Sequence, residues 1–338
     1  MSNLATNPSS MPGTAGTPGT PGIPGAPGTP GNPGAPGDST AHLAGTSLTA
    51  EQREQLVISA ISEISHIATL PQITLKIIQL VENPDSTAQD LNKIITNDPA
   101  LGARILKVVN SAFYGLPGQI GSINRAIVLL GLNAVKNIAI AASLAKLFRG
   151  GQIAANFNAR DLWTHSIAVA TGTRLMAEKV GLGLSDEAFL AGLIHDLGIM
   201  VQMQARRPKF VEALGAIEAD PTLTLRAAEL ASIGATHEDF GAALCQSWKF
   251  PACFAHVTGF HHRPLELVAT HRTLTSLVHV ADICAASMQL GFTRTVETDQ
   301  IASEILDELK LTQEHVNDVC ERLPAAMEEA SALLNDSV

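Results

Sequence analysis

From Leu48 onwards, apolar residues return every three or four positions, and nowhere do they alternate over the length of a strand. A period of 3.6 gives a helix one apolar face, whereas a half-buried strand needs a period of two. A chain carrying only the first signal closes its core by packing helix on helix, so the expected fold class is all-α. The punctuation agrees. Asp98-Pro99 reads as an N-cap followed by proline at the first helical position. Ser122 caps a helix that Gly131 stops, and Asp161 caps one that Gly181 ends. Ser185 caps a helix running to Met203, and Thr236 with Asp239 forms a loose capping box. Further helices are expected over Thr49–Ala68, Thr74–Val81, Ala134–Phe148, Leu274–Met288, Asp299–Glu308 and Glu314–Leu334, with a linker from Gly150 to Asn158.

The first 47 residues differ in kind. Glycine recurs every third residue from Gly13 to Gly37, and nine of the 18 prolines fall before residue 50. Asp38 is the first charged side chain. The pattern is collagen-like, but a stretch that can bury no core reads as a disordered, extended tail. About 290 residues then carry the fold, which is ample for a sizeable core.

Composition excludes several classes. A formal net charge of −10 argues against direct nucleic-acid binding, which depends on lysine and arginine contacts to phosphate. No apolar run is expected to span a membrane. The nearest, Ala126 to Phe148, is broken by Asn133, Lys136, Asn137 and Lys146. No basic segment followed by an apolar one opens the chain, so the expected location is cytoplasmic. The four cysteines, Cys245, Cys253, Cys284 and Cys320, show no paired spacing and read as reduced, mostly buried thiols. Charge is segregated: from Pro99 to Arg160 there is no acidic residue but seven basic ones, Arg104, Lys107, Arg125, Lys136, Lys146, Arg149 and Arg160. Such a stretch either complements the acidic half internally or docks an acidic partner or phosphate-bearing ligand.

Eight of the 11 histidines lie between His165 and His279. His165 falls on the apolar face of its helix, with Leu162 and Val169. His195-Asp196 and Asp282 interrupt runs that are otherwise almost entirely apolar. An unpaired carboxylate buried there would cost several kcal/mol, so it needs a cation, a strong donor or a metal. His165, His195, Asp196 and Asp282 make a mixed nitrogen and oxygen ligand set suited to Fe, Mn or Zn. His237, His261 and His262 are placed to add a second ion or to hold a phosphate.

The longer motifs resemble the HDOD family of bacterial signalling output domains. They are Thr69-Leu70-Pro71, Asn97-Asp98-Pro99-Ala100-Leu101, Asn110-Ser111-Ala112-Phe113-Tyr114-Gly115 and Ala126-Ile127-Val128-Leu129-Leu130-Gly131-Leu132, followed by Leu162-Trp163-Thr164-His165-Ser166, Ala188 through Gly198, and His237-Glu238-Asp239-Phe240-Gly241. Trp248, Pro251 and His261-His262 fit its later half. The resemblance covers roughly residues 66–262. It implies an N-terminal helical subdomain (66–150) packed against an HD-type bundle (155–290), with residues 291–338 as further C-terminal helices.

The wider HD superfamily includes metal-dependent phosphohydrolases that use a His, a His-Asp pair and a distant Asp. In order these correspond to His165, His195, Asp196 and Asp282. Two-metal HD-GYP phosphodiesterases add histidines corresponding to His237, His261 and His262. Two departures stand out. Ile199 replaces a phosphate-contacting lysine, and the Gly-Tyr-Pro motif is absent, the chain reading His261-His262-Arg263-Pro264-Leu265. The resemblance therefore implies a regulatory module working through a signalling protein partner, with no committed catalytic residue. The alternative is a metal-dependent phosphohydrolase or cyclic-dinucleotide phosphodiesterase.

Overall fold

A computed structural model describes residues 48–64, 72–83, 85–111, 114–148 and 152–335. The expected disorder of residues 1–47 and the Thr69-Leu70-Pro71 motif lie outside the described residues. The helices run α1 (Ala50–Glu63), α2 (Gln72–Glu82), α3 (Ala88–Thr96), α4 (Pro99–Val109), α5 (Ile123–Leu130), α6 (Leu132–Leu144), α7 (Ala159–Lys179), α8 (Ser185–Ile194), α9 (Leu197–Ala205) and α10 (Arg207–Ala219). They continue with α11 (Leu225–Ser232), α12 (His237–Ser247), α13 (Ala252–Phe260), α14 (Ala269–Ser287), α15 (Ser303–Leu309) and α16 (Gln313–Asn335). The all-α expectation holds, with one exception. Part of the predicted linker pairs as a small antiparallel hairpin, β1 (Gln152–Ala154) with β2 (Phe157–Asn158). Both strands are too short to show alternation.

Several caps fall where the sequence puts them. The side chains of Asp98, Ser122 and Thr236 each accept a backbone N–H from their own first turn, and Thr49, placed by the sequence only at the start of its helix, does the same for α1. Thr236 and Asp239 complete a reciprocal capping box. Two differ: Asn158, not Asp161, caps α7, and Ser185 is the first residue of α8, which begins without a side-chain cap.

The largest difference lies in the predicted helix from Ser185 to Met203. It is two helices, and the break falls on His195 and Asp196. The stretch Ser185–Ala205 is also long and apolar enough in composition to cross a membrane, contrary to the expectation that no run would be; its most apolar 18-residue window is 83% buried within the protein. It is the central core segment. α8 packs on α6, α7, α13 and α14, while α9 packs on α1, α10 and α12.

Glycine makes the second packing possible. A Cβ on Gly198 would overlap the carbonyl of His237, and it would come within 2.7 Å of the Gly241 nitrogen. α9 and α12 thus touch backbone to backbone.

The thiol expectation needs correction at two of four cysteines. Cys284 on α14 and Cys320 on α16 form a disulfide across 36 residues, with Cα atoms 5.4 Å apart. The pairing is invisible in sequence because it depends on α16 folding back over α7 and α14. Cys245 is a buried free thiol and Cys253 an exposed one.

The basic stretch is only partly a surface. Lys107, Arg125 and Arg160 are exposed, but Lys136 is 3% exposed on the buried face of α6. Burial pulls its ammonium below the usual range, although the Glu187 charge opposes this. Lys136 is buried within the fold and belongs to no docking face.

Candidate metal centre

All seven sequence-predicted site residues converge. α7 supplies His165, the α8–α9 turn supplies His195 and Asp196, and α12 opens with His237. His261 and His262 follow the end of α13, and α14 carries Asp282. The turn explains how two adjacent residues reach one centre. On a continuous helix they would diverge by about 100°. Here Asp196 leaves helical geometry at φ −95°, ψ 16°, and its carboxylate swings back toward the His195 ring.

The donors form two groups that meet at this turn. In the first, His165 Nε2 lies 2.9 Å from Asp282 Oδ1, and His195 Nε2 lies 3.9 Å from the same oxygen. In the second, Asp196 Oδ1 lies 3.5 Å from His237 Nε2 and 3.4 Å from His261 Nε2. His237 Nε2 and His262 Nε2 stand 3.0 Å apart. His195 Nε2 to Asp196 Oδ2, at 3.2 Å, joins the groups. Within each group the donor atoms lie inside 4.8 Å of one another. Ligands on opposite sides of a metal at bond lengths of about 2.1 Å are about 4 Å apart.

The outer contacts fix which nitrogen faces inward. Nδ1 of His165, His195 and His261 meets the carbonyls of Leu290, Gly192 and Val257 at 3.3, 2.7 and 3.2 Å. A carbonyl only accepts, so each Nδ1 carries a proton and donates it. Nε2 is left facing the centre. This is the arrangement that orients histidine on a metal. Around His237 the outer partner is a carboxylate: Nδ1 donates to Glu229 Oε2 at 2.9 Å, and the His237 backbone N–H donates to the same oxygen at 3.0 Å.

Burial is complete. His165, His195, Asp196, His237 and His261 have no exposed surface, and Asp282 retains 1%. Yet Nε2 of His165, His195 and His261, both oxygens of Asp196 and Oδ1 of Asp282 make no hydrogen bond of ordinary geometry with the described residues. Buried polar atoms are rarely left so. Six such atoms pointing into one volume fit a cation, and the donor set fits a transition metal better than Ca or Mg.

Electrostatics say how the centre balances itself without one. Burial opposes charge on His195, but the Asp196 and Asp282 carboxylates outweigh it and raise its pKa to about 9. His237 rises to about 10 because Glu229 and Asp196 overcome its burial. Burial pushes Asp196 upward, yet the imidazoles of His195, His261 and His237 hold it well below the carboxylate range. Burial and the neighbouring His261 and His237 hold His262 far below an ordinary histidine. Two imidazolium rings thus occupy part of the role of a cation.

Four residues of the surrounding shell are absent from the sequence-predicted set. Glu229 orients His237. Glu238 is wholly buried between Arg226 Nε at 2.7 Å and Arg263 Nε at 3.2 Å, close to the His262 backbone N–H. Arg226 also pairs with Glu297 at 3.0 Å. His279 Nδ1 donates to the His261 carbonyl at 2.8 Å. A signal existed for Glu229: it stands four residues after Leu225 and beside Ala228, on the buried side of α11. Glu238 lies in the first turn of α12, where acidic residues are common without further purpose.

Ile199 is buried with no exposed surface on α9, so no cation stands at that position. Over the described length, the chain is similar to solved structures. One is an HDOD domain protein of unknown function from Geobacter sulfurreducens, 23% identical with a TM-score of 0.69, covering 86% of this chain and 99% of that one. Another is a protein from Marinobacter aquaeolei VT8 assigned provisionally to signal transduction, 22% identical with a TM-score of 0.68, covering 88% of this chain and 68% of that one. At these identities the likeness carries the fold. An uncharacterized protein of Treponema pallidum (strain Nichols) is 26% identical over 215 residues, 63% of this chain. The match spans only 41% of that relative's length. The HDOD domain family model matches residues 67–264, more than half of the chain and all of the donor residues except Asp282, and the chain belongs to the HDOD domain family.

Proposed function

We propose that this chain is a signal-transduction module that holds one or two transition-metal ions in a closed His/Asp chamber and acts on a protein partner. The observation that carries the reading is the set of orphaned, fully buried donor atoms pointing into one volume. His165, His195 and Asp282 would hold the first ion; Asp196, His237, His261 and His262 would hold the second. Fe, Mn and Zn are the ions this donor set suits. The provisional assignment of the Marinobacter protein to signal transduction supports the regulatory half of the reading. The partner surface would include exposed Lys107, Arg125 and Arg160, which suit an acidic partner face rather than nucleic acid or membrane.

A second reading, a metal-dependent phosphohydrolase, is favoured by the completeness of the ligand set. A bound metal would supply an activated water or hydroxide. Within such a site the chain's own residues do three things. Carbonyls of Leu290, Gly192 and Val257 keep the imidazole lone pairs inward. Glu229 holds the His237 ring, and the packed helices exclude bulk water. Closure around the donors and Ile199 in place of a cation weigh against turnover.

The test is metal analysis of the purified protein with a phosphodiesterase assay on the same sample. One to two ions per chain are expected, lost in Asp196→Ala, with turnover far below about 1 per second, the low end of ordinary enzyme rates. No bound metal after loading with Fe, Mn or Zn would overturn the metal reading. Turnover at or above that rate, abolished in Asp196→Ala, would establish the hydrolase instead.

A further inference from the structure

A groove of about 700 Å³ lies beside the candidate metal centre, walled by α1 on one side and by α12 and α13 on the other. That volume is typical of a small-molecule site. α1 precedes the family match at residues 67–264, whereas α12 and α13 lie within it.

Its chemistry falls into three parts. The first is cationic. Arg53 lines the groove, and its Nε is buried yet makes no hydrogen bond to the described residues. The other acidic groups nearby do not claim it. Glu238 is held by Arg226 and Arg263, and Asp239 is consumed in the capping box of α12. The second part is flat. The Arg263 guanidinium lies 5.0 Å over the Phe260 ring, and both side chains face the groove opposite Val57 and Ile58. A guanidinium–aromatic stack beside aliphatic side chains suits a planar heterocycle. The third part is an exposed carboxylate. Glu54 follows Arg53 on α1 and also lines the groove. A carboxylate in that role accepts hydrogen bonds from vicinal hydroxyls, as acidic residues do from ribose.

A cation for phosphate, a carboxylate for sugar hydroxyls and a platform for a base describe one ligand class. We propose that the α1–α12–α13 groove binds a nucleoside phosphate, with the phosphate on Arg53, the base against Arg263 and Phe260, and the sugar toward Glu54. Occupancy would be felt at the metal centre, because Arg263 grips Glu238, whose other oxygen faces the His262 backbone N–H at 3.5 Å.

Binding here does not require the ions, so the proposal stands apart from the metal reading. Titration calorimetry of the full chain, metal-free and metal-loaded, would use the four common nucleoside 5′-monophosphates, the matching nucleosides and inorganic phosphate. At least one nucleotide is expected to bind, with Arg53→Gln weakening it about tenfold or more while leaving the nucleoside alone. Ile58→Trp, which fills the groove from an exposed position, is expected to abolish binding of both at an unchanged melting temperature. The proposal fails if none of the four nucleotides binds at about 1 mM, if inorganic phosphate binds as tightly as the nucleotides, or if Arg53→Gln leaves affinity unchanged. Metal content measured on the same samples separates any such failure from a failure of the metal reading.

Discussion

Asp196 is within reach of three histidines on three different elements, and its charge sets theirs. In the metal-free protein, His195 and His237 have pKa values raised to about 9 and about 10 from an ordinary 6.5. A raised base stabilises the fold fully below its unfolded pKa, and that contribution disappears as pH climbs through the folded value. The metal-free protein should therefore lose thermal stability between about pH 7 and 10. The metal-loaded protein, whose imidazoles are already deprotonated, should lose less, and pH-stepped calorimetry of the two forms will tell. Metal uptake at pH 7 should also release protons, measurable as a buffer-dependent binding enthalpy. Glu229 belongs to the same scale. Glu229→Ala removes the acceptor from His237 Nδ1 and is expected to weaken the second ion about 10- to 100-fold while sparing the first. Chelator competition resolved by stoichiometry checks this, and equal weakening of both ions would contradict it. All seven donors were legible in sequence as polar residues at apolar positions or in ordered motifs. Arg226 was not, because its role depends on meeting Glu238 and Glu297 from elsewhere in the chain.

At the scale of elements, the break between α8 and α9 is the device that makes a centre out of a helix. Propensity alone does not reveal it, since Leu190 through Met203 holds no proline and reads as one apolar run. What stops the helix is tertiary: α8 and α9 pack against different neighbours, and the two residues between them answer to the ligands. The contact of α9 with α12 should be intolerant of any side chain on Gly198. Gly198→Ala is expected to cost about 3 kcal/mol, at the upper end of overpacking penalties, because the obstacle is the His237 backbone rather than a movable side chain. It should lower metal occupancy as well, since His237 must shift. Chemical denaturation with metal analysis checks both, and a near-neutral result would mean the helices can slide apart. Caps at Asp98, Ser122 and Thr236 were readable because a cap is a local event. The α8 start was misread because Ser185 sits one residue inside the helix and caps nothing.

At the scale of the molecule, the described helices share a single hydrophobic core running from Val57 on α1 to Leu334 on α16. The C-terminal helix is fastened into it covalently. The Cys284–Cys320 bond ties α16 to α14 two residues beyond Asp282, and α16 in turn packs on α7, which carries His165. Reduction, or Cys320→Ser, should cost about 2–4 kcal/mol, as expected for a link across 36 residues. Thermal melts with and without a dithiol reductant measure it. No shift, or four free thiols titrated in the unreduced, denatured protein where the bond leaves only Cys245 and Cys253, would show that the helix is held by packing alone. The burial of the donors, complete or nearly so in six of the seven, also has a consequence in time. An ion seated behind α7, α12 and α14 can leave only as often as the surrounding helices open, so its exchange would be paced by rare local unfolding and not by its affinity. Such a centre answers slowly: it would register the metal present while the chain was folding, and keep that record after the surroundings had changed.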